Sequence, residues 1–337
     1  MKQRASSPVF RHGGILLVAK QPGVTSFDSL SAVKRALGTK KVGHTGTLDS
    51  FAAGLLVVCV GSLTRLASYI TQCDKDYDAV VVFGAETDTL DLTGTVVRQA
   101  PLPTEAQVRA AVAAHIGQLM QIPPVFSALH VSGKRASDVV RNGGIPYLAA
   151  RAVTVSRADV QELLYTNDGT VRAARISWTV SKGTYIRSLA RDIAAACGSA
   201  GYCAALRRTR VGNFLLSHAV GGAKLLENTS IDSLCTPPPV AVPPLERIAG
   251  DAAFEEIRAA LQPMTESLAA ACGLRCVHLE QSPVDDFLHG RPLQLSCFSE
   301  PVGDGECAVF SGQGQFLGLI SCSDTGTISY RFVVNTL

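Results

Sequence analysis

No apolar run in this 337-residue chain is long enough to cross a bilayer. The longest, FAAGLLVVCVG at 51–61, is about half of the roughly 20 residues that a spanning helix needs. A secretory signal is also missing, because GILLVA is too short for a signal core and KQPG ends it. Cytoplasm is therefore the expected location. Charged residues are scarce at 18%, whereas apolar residues make up 47%. This excludes a disordered polyelectrolyte and describes a chain with a sizeable core. The ten cysteines have irregular spacing, unlike a disulfide framework or a zinc site, so buried reduced thiols are expected. A Walker loop and a dinucleotide fingerprint are absent too, and neither cofactor nor metal is expected.

The charge that is present is unevenly spread. Residues 1–230 hold 26 Lys+Arg against 15 Asp+Glu, a net of +11, while residues 231–337 hold 5 against 13, a net of −8. A first part that meets a polyanion and plain uneven surface decoration explain this equally well. The length predicts two domains. Five prolines in CTPPPVAVPPLE, 235–246, rule out regular helix and mark a linker. A short helix, DAAFEEIRAALQPM, follows, and then CAVFSG, FLGLISCS and ISYRFVV read as strands. The expected division is 1–262, including the linker, and a small β-rich domain at 263–337.

Strands and helices mix in the first part. SFDSLSAVKRALG places Phe27, Leu30, Val33 and Leu37 on one helical face, with Ser26 as N-cap and Gly38 past the end. Lys34, Lys40 and Lys41 add positive charge just before the next motif. YDAVVVFGA sets Tyr77, Ala79, Val81 and Phe83 at strand period. VRAARISWTVSKG is a second strand that runs into the helix TYIRSLARDIAAACG. Without regular βαβ alternation, the fold class is α+β.

The densest local chemistry lies in KVGHTGTLDS, 41–50. Gly43 and Gly46 permit unusual backbone and close ligand approach, Thr45 and Thr47 offer hydroxyls, and one carboxylate, Asp49, precedes an apolar wall. Taken alone, the stretch is more often a turn in which Asp49 caps the next element. Arg187 sits in the first turn of its helix if Thr184 is the cap. A cation there opposes the helix dipole, so a carboxylate or phosphate partner is expected, although a solvated arginine tolerates the small cost. Basic residues beside an aromatic in SKGTYIRSLAR, and the cluster LRRTRVG at 206–212, together look like a nucleic-acid surface.

In order, GILLVAKQPGVTSFD, GHTGTLDSFAAGLL, DKDYDA, GAETDTLDLTG, IPPVFSALHVSGKRA, SKGTYIRSLARDIA and LRRTRVGNF resemble the motifs of the bacterial TruB-type tRNA pseudouridine synthases. DFLHGRPL and the strands after it are similar to the small PUA-like domain of that family. The resemblance implies a mixed, mainly antiparallel catalytic sheet and isomerisation of uridine 55 in the tRNA T loop. It implies that Asp49 is the nucleophile, that Tyr77 packs on the base and acts as proposed base, and that Arg187 holds Asp49 ionised. Tyr185 and Leu206 would line the uracil pocket, Lys20 would support the site, and His44 would stack where the flipped uridine had been. The expected partner is the T stem-loop of tRNA, with no membrane, no required protein and a monomeric chain. A guide-RNA-dependent relative shares the Asp loop and KGTYIR, but IPPVFSALHVSGKRASD and the short final domain favour a stand-alone enzyme. Ser50 stands where the family usually has proline, which questions the rigidity of the loop exit.

Overall fold

The computed structural model describes residues 13–131, 133–226, 230–235 and 251–334. Most of the expected linker, 236–246, lies outside the described residues. In chain order the strands of the large sheet begin with β1 (Gly14–Lys20), β2 (Val42–His44), β3 (Ala53–Val60) and β4 (Lys75–Phe83). Two hairpins stand apart, β5 (Ala85–Thr87) with β6 (Val96–Gln99), and β8 (His130–Val131) with β9 (Lys134–Arg135). Between and after them, β7 (Gly117–Gln121), β10 (Arg151–Tyr165), β11 (Val171–Val180), β12 (Gly201–Val211) and β13 (Phe214–Leu215) complete the large sheet. Its order is β1-β3-β12-β4-β11-β10-β7, with β2 added to β3 and β13 to β12. Every pairing is antiparallel except the short contact of β3 with β12, Ala53↔Arg207 and Gly54↔Arg208.

The apolar run noted above is β3, which lies between β1 and β12 and is buried on both faces. This is why it is continuous rather than alternating. Leu56, Val58 and Val60 join one core with α1 (Ser26–Leu37), α2 (Glu105–Ala114), α3 (Ile186–Ala196) and α4 (Asp251–Ala259). Leu55, Val57 and Cys59 join a second core on the opposite face.

The final segment forms a sheet in the order β14 (Arg275–Leu279), β15 (Gly305–Ser311), β16 (Phe316–Cys322), β17 (Ile328–Val333), with β14 and β15 parallel. The three predicted strands are β15 to β17. It has its own core around Phe287 and Val309. Its Phe310, Phe316 and Phe332 also enter the second core beside Ile15, Leu17, Leu55 and Val57 of the large sheet. The fold is thus α+β, with a mainly antiparallel sheet and a terminal sheet built onto it.

Three local expectations are corrected. The N-cap of α1 is Thr25, which closes a capping box with Asp28, and Ser26 is the first helical residue with its side chain turned inward. Phe27 does not join the core stripe but is 66% exposed. The cap of α3 is Tyr185 rather than Thr184, whose hydroxyl donates to Ser181 O at 2.9 Å. Arg187 nevertheless falls in the first turn.

Candidate active site

Asp49 lies on the 45–52 loop between β2 and β3, and most carbonyls of that loop are held. Thr71 Oγ1 donates to Thr45 O at 2.7 Å, and Arg208 Nη2 to Gly46 O at 3.0 Å. Ser26 Oγ accepts from Leu48 N at 2.9 Å and donates to Leu48 O at 3.0 Å. Ala52 N donates to Asp49 O at 3.1 Å, and Gly23 N to Ser50 O at 2.8 Å. Lys20, fully buried, sends Nζ to Gln21 O at 3.0 Å, Ser50 O at 3.2 Å and also to Ala52 O. Burial lowers the Lys20 pKa to about 8, with Asp49 opposing that shift and Arg208 adding to it. The rigidity of the loop exit therefore comes from the Ser50 carbonyl, which a serine offers as well as a proline does.

The two glycines of the 41–50 stretch, Gly43 on β2 and Gly46 on the loop, are not demanded by the backbone. Neither Gly43 nor Gly46 has a positive φ. A Cβ would meet nothing at Gly43 and would only touch Arg208 Nη1, at 3.4 Å, at Gly46. The glycine that geometry demands is Gly54, at φ 115°, where a Cβ would lie 2.3 Å from Arg208 O. It allows β3 and β12 to approach and brings Arg208 under the loop.

Arg187 is not a solvated arginine. Its guanidinium is almost wholly buried and grips Asp49 at both oxygens, Nε to Oδ2 at 2.8 Å and Nη2 to Oδ1 at 3.0 Å. Such a bidentate pair fixes position and orientation together. Its remaining donors reach Thr89 O at 2.7 Å and Phe126 O at 3.0 Å. Asp91 Oδ2 lies 3.6 Å from Nη1. Asp91 itself is buried, and its Oδ1 accepts from Thr89 Oγ1, Thr93 N and Thr93 Oγ1 at 2.6–2.9 Å. Leu90, between Thr89 and Asp91, has φ 60°, a conformation strained for a branched side chain by about 1 kcal/mol or more. That turn aims a carbonyl and a carboxylate at the same guanidinium.

The Asp49 carboxylate is 37% exposed and opens into a cavity of about 290 Å³. Tyr77, Tyr185, Ile186, Leu206, Lys75 and Arg208 are among its walls. Tyr77 is carried by β4, opposite Trp178 of β11 and Arg208 of β12. Gln121 fixes Tyr185 by bonding both its backbone N and O, at 2.8 and 3.1 Å, and burial raises the Tyr185 phenol pKa. Lys75 donates to Thr71 O at 2.8 Å and Cys73 O at 2.5 Å, and burial lowers its pKa to about 8. Of the sequence candidates, Asp49, Tyr77, Tyr185 and Leu206 line the cavity together. Arg187 and Lys20 lie behind the loop, and His44 sits on β2 outside the cavity lining. His44 Nδ1 is buried without a hydrogen-bond partner, and burial, then Arg208, lowers the imidazole pKa.

Lys75, Asp91 and Gln121 were not singled out in the sequence, and Ser26 and Arg208 were given other roles, as a helix cap and as part of a basic surface. Ser26, Lys75, Asp91 and Arg208 lie within the family-like motifs, which were the available signal, and Gln121 lies outside them. The LRRTRVG cluster is also corrected. Arg208 is buried, Arg207 pairs with Asp78 at 2.6 Å, and Arg210 with Asp76 at 2.7 Å, so these are internal struts rather than a basic surface. Among the described residues no three His, Cys, Asp or Glu side chains converge as a metal site.

Residues 34–186 match the TruB family pseudouridylate synthase (N terminal domain). The chain is 40% identical to tRNA pseudouridine synthase B of Treponema pallidum (strain Nichols), covering 96% of this chain and 97% of that one. It is 36% identical to the protein of the same name from Leifsonia xyli subsp. xyli (strain CTCB07), covering 91% and 92%. Among solved structures, a Cbf5-Nop10-Gar1 complex shares the fold at 22% identity and a TM-score of 0.64, over 96% of this chain and 85% of that chain.

Proposed function

This chain belongs to the TruB family of pseudouridylate synthases, and from that premise we propose that it isomerises uridine 55 in the T loop of tRNA, with Asp49 as nucleophile. The chain is a pseudouridine synthase, an isomerase. The observation that carries the finer reading is a carboxylate gripped at both oxygens by a buried arginine, yet open on one side to a cavity of nucleoside size.

The reaction breaks the N1–C1′ bond, turns the uracil and rejoins it through C5. Cleavage develops positive charge on the sugar and negative charge on the base. A carboxylate held beside C1′ or C2′ stabilises the first, either by adding to the sugar or by taking a proton toward a glycal. Arg187 balances the Asp49 charge and fixes which edge faces the sugar. Tyr77 packs on the base and takes the C5 proton, while Leu206 and Tyr185 wall the uracil so that it turns without exchanging with water. Atoms and oxidation state are conserved, so the stoichiometry includes no cosubstrate. Lys20 supports the loop, and His44, its charge disfavoured by burial, suits stacking against RNA bases. The target leaves its stack at a cost of a few kcal/mol, and unpaired loops are where proteins read RNA base by base. The same proposal divides the chain at 262/263 and has it act as a monomer without a guide RNA.

The test is conversion of a T-arm stem-loop transcript by purified protein with no other RNA. Pseudouridine at the position equivalent to 55 is expected, with loss of product in Asp49→Asn. Full activity in that variant would refute the nucleophile assignment.

A further inference from the structure

Helix α1 carries a side chain that its core pattern leaves unexplained. Leu30 and Val33 are buried, whereas Phe27, at the exposed start of the helix, leaves two thirds of its surface open. Lys34, two turns on, places Nζ 4.6 Å from the Phe27 ring centroid. Among the described residues no ion pair engages Lys34, Lys40 or Lys41. The nearby acid, Asp28, is occupied by the Thr25 capping box. An exposed phenyl with the Lys34 ammonium over it thus lies at the end of α1 where Ser26 pins the loop at Leu48, next to Asp49, while Lys40 and Lys41 follow the other end of the helix.

We propose that Phe27 and Lys34 form a platform for an unpaired nucleotide of the substrate RNA beside the isomerised uridine. The ring stacks a base and the ammonium at its face reaches that nucleotide's phosphate. Charge favours this occupant, since residues 26–41 carry four basic side chains, Lys34, Arg35, Lys40 and Lys41, against one acid, Asp28, and an RNA strand brings one negative charge per nucleotide. The ring favours it as well, because every base has a π-face and stacking needs no particular sequence. A lysine already over the ring keeps the phenyl partly covered until a base replaces it. The inference rests on the RNA-modifying function above and adds a contact outside the cavity.

Phe27 is exposed, so its replacement leaves the fold intact. Phe27→Ala and Phe27→Leu are both expected to raise KM for the T-arm stem-loop about 5- to 100-fold with kcat unchanged, the range for loss of one stacked base. Phe27→Tyr should keep the wild-type KM. Lys34→Gln should reduce the salt dependence of binding by about one unit of slope. In F27W, the new exposed indole should be quenched by bound RNA, against a background from Trp178, which is buried. Unchanged KM in both Phe27→Ala and Phe27→Leu, or a fall in kcat alone, would overturn the platform. So would an F27W signal indifferent to bound RNA. Inactivity of the wild-type chain on this RNA would instead count against the function, and the F27W signal would still judge the contact.

Discussion

Arg187 stands between two carboxylates that differ in what else they touch. Asp49 presents its open side to the cavity, while Asp91 has one oxygen saturated by Thr89 and Thr93 and the other beside the guanidinium. Asp91→Asn keeps the shape but removes that charge and faces an amide toward donors. It is expected to lower stability by about 1–3 kcal/mol in urea unfolding and to reduce kcat about 10- to 100-fold with KM nearly unchanged. A wild-type kcat would show that Asp49 alone positions Arg187. Lys20 gives two opposite pH effects. Its folded pKa of about 8 lies below the unfolded value of 10.5. Between those pH values the unfolded chain binds the extra proton, so this group makes stability rise with pH. Activity should fall over the same rise through pH 8, because the ammonium beside the Ser50 and Ala52 carbonyls loses its charge. In Lys20→Arg that decline should vanish from the kcat profile, and a decline that persists would assign it to another group.

At the scale of elements, α1 separates two roles that adjacent hydroxyls share in the sequence. Thr25→Ala removes the cap and should cost about 1 kcal/mol without changing kcat. Ser26→Ala should cost a similar amount, about 1 kcal/mol, but it releases Leu48 and so should lower kcat as well. Equal kcat in the two variants would show that the pin on Leu48 does not order the loop. The periodicity of the helix was readable, yet it could not tell which neighbour supplies the cap, since that depends on one residue's backbone angle. The strands β4, β11 and β15 to β17 were legible because their apolar patterns report burial directly. The arginines of β12 were not. Their acidic partners on β4 are some 130 residues away, and a bulge between Arg208 and Arg210 breaks the simple alternation of faces. Asp49 and Arg187 stood out by their local chemistry, and the motif resemblance supplied their roles. Their pairing across 138 residues is a product of the sheet's strand order, which no local pattern encodes.

Over the whole molecule, the terminal sheet and the large sheet share one core. A chain ending at residue 262 would expose Leu17, Leu55 and Val57, which now lie with Phe310 and Phe332. Such a truncated chain is expected to lose solubility and to melt well below the full chain, whereas an unchanged Tm would mean that the shared core adds nothing to the large sheet. The charge asymmetry also makes sense at this scale, because the basic first part holds the cavity and the acidic final part covers the far face of β1 and β3.

The loop around Asp49 is tied to residues 20, 23, 26, 71, 187 and 208, so its final shape depends on contacts from both ends of the large sheet's sequence. Contacts of such long sequence separation form slowly, since the intervening chain must be ordered first. Trp178, the chain's one tryptophan, lies in the antiparallel pair of β11 with β4, whose separation of about 100 residues is shorter than the 138 and 162 residues that tie the loop to Arg187 and Arg208. On refolding from denaturant, its fluorescence should therefore recover before the ability to convert RNA returns. Between those two events the protein would pass through an interval in which it is compact and catalytically silent.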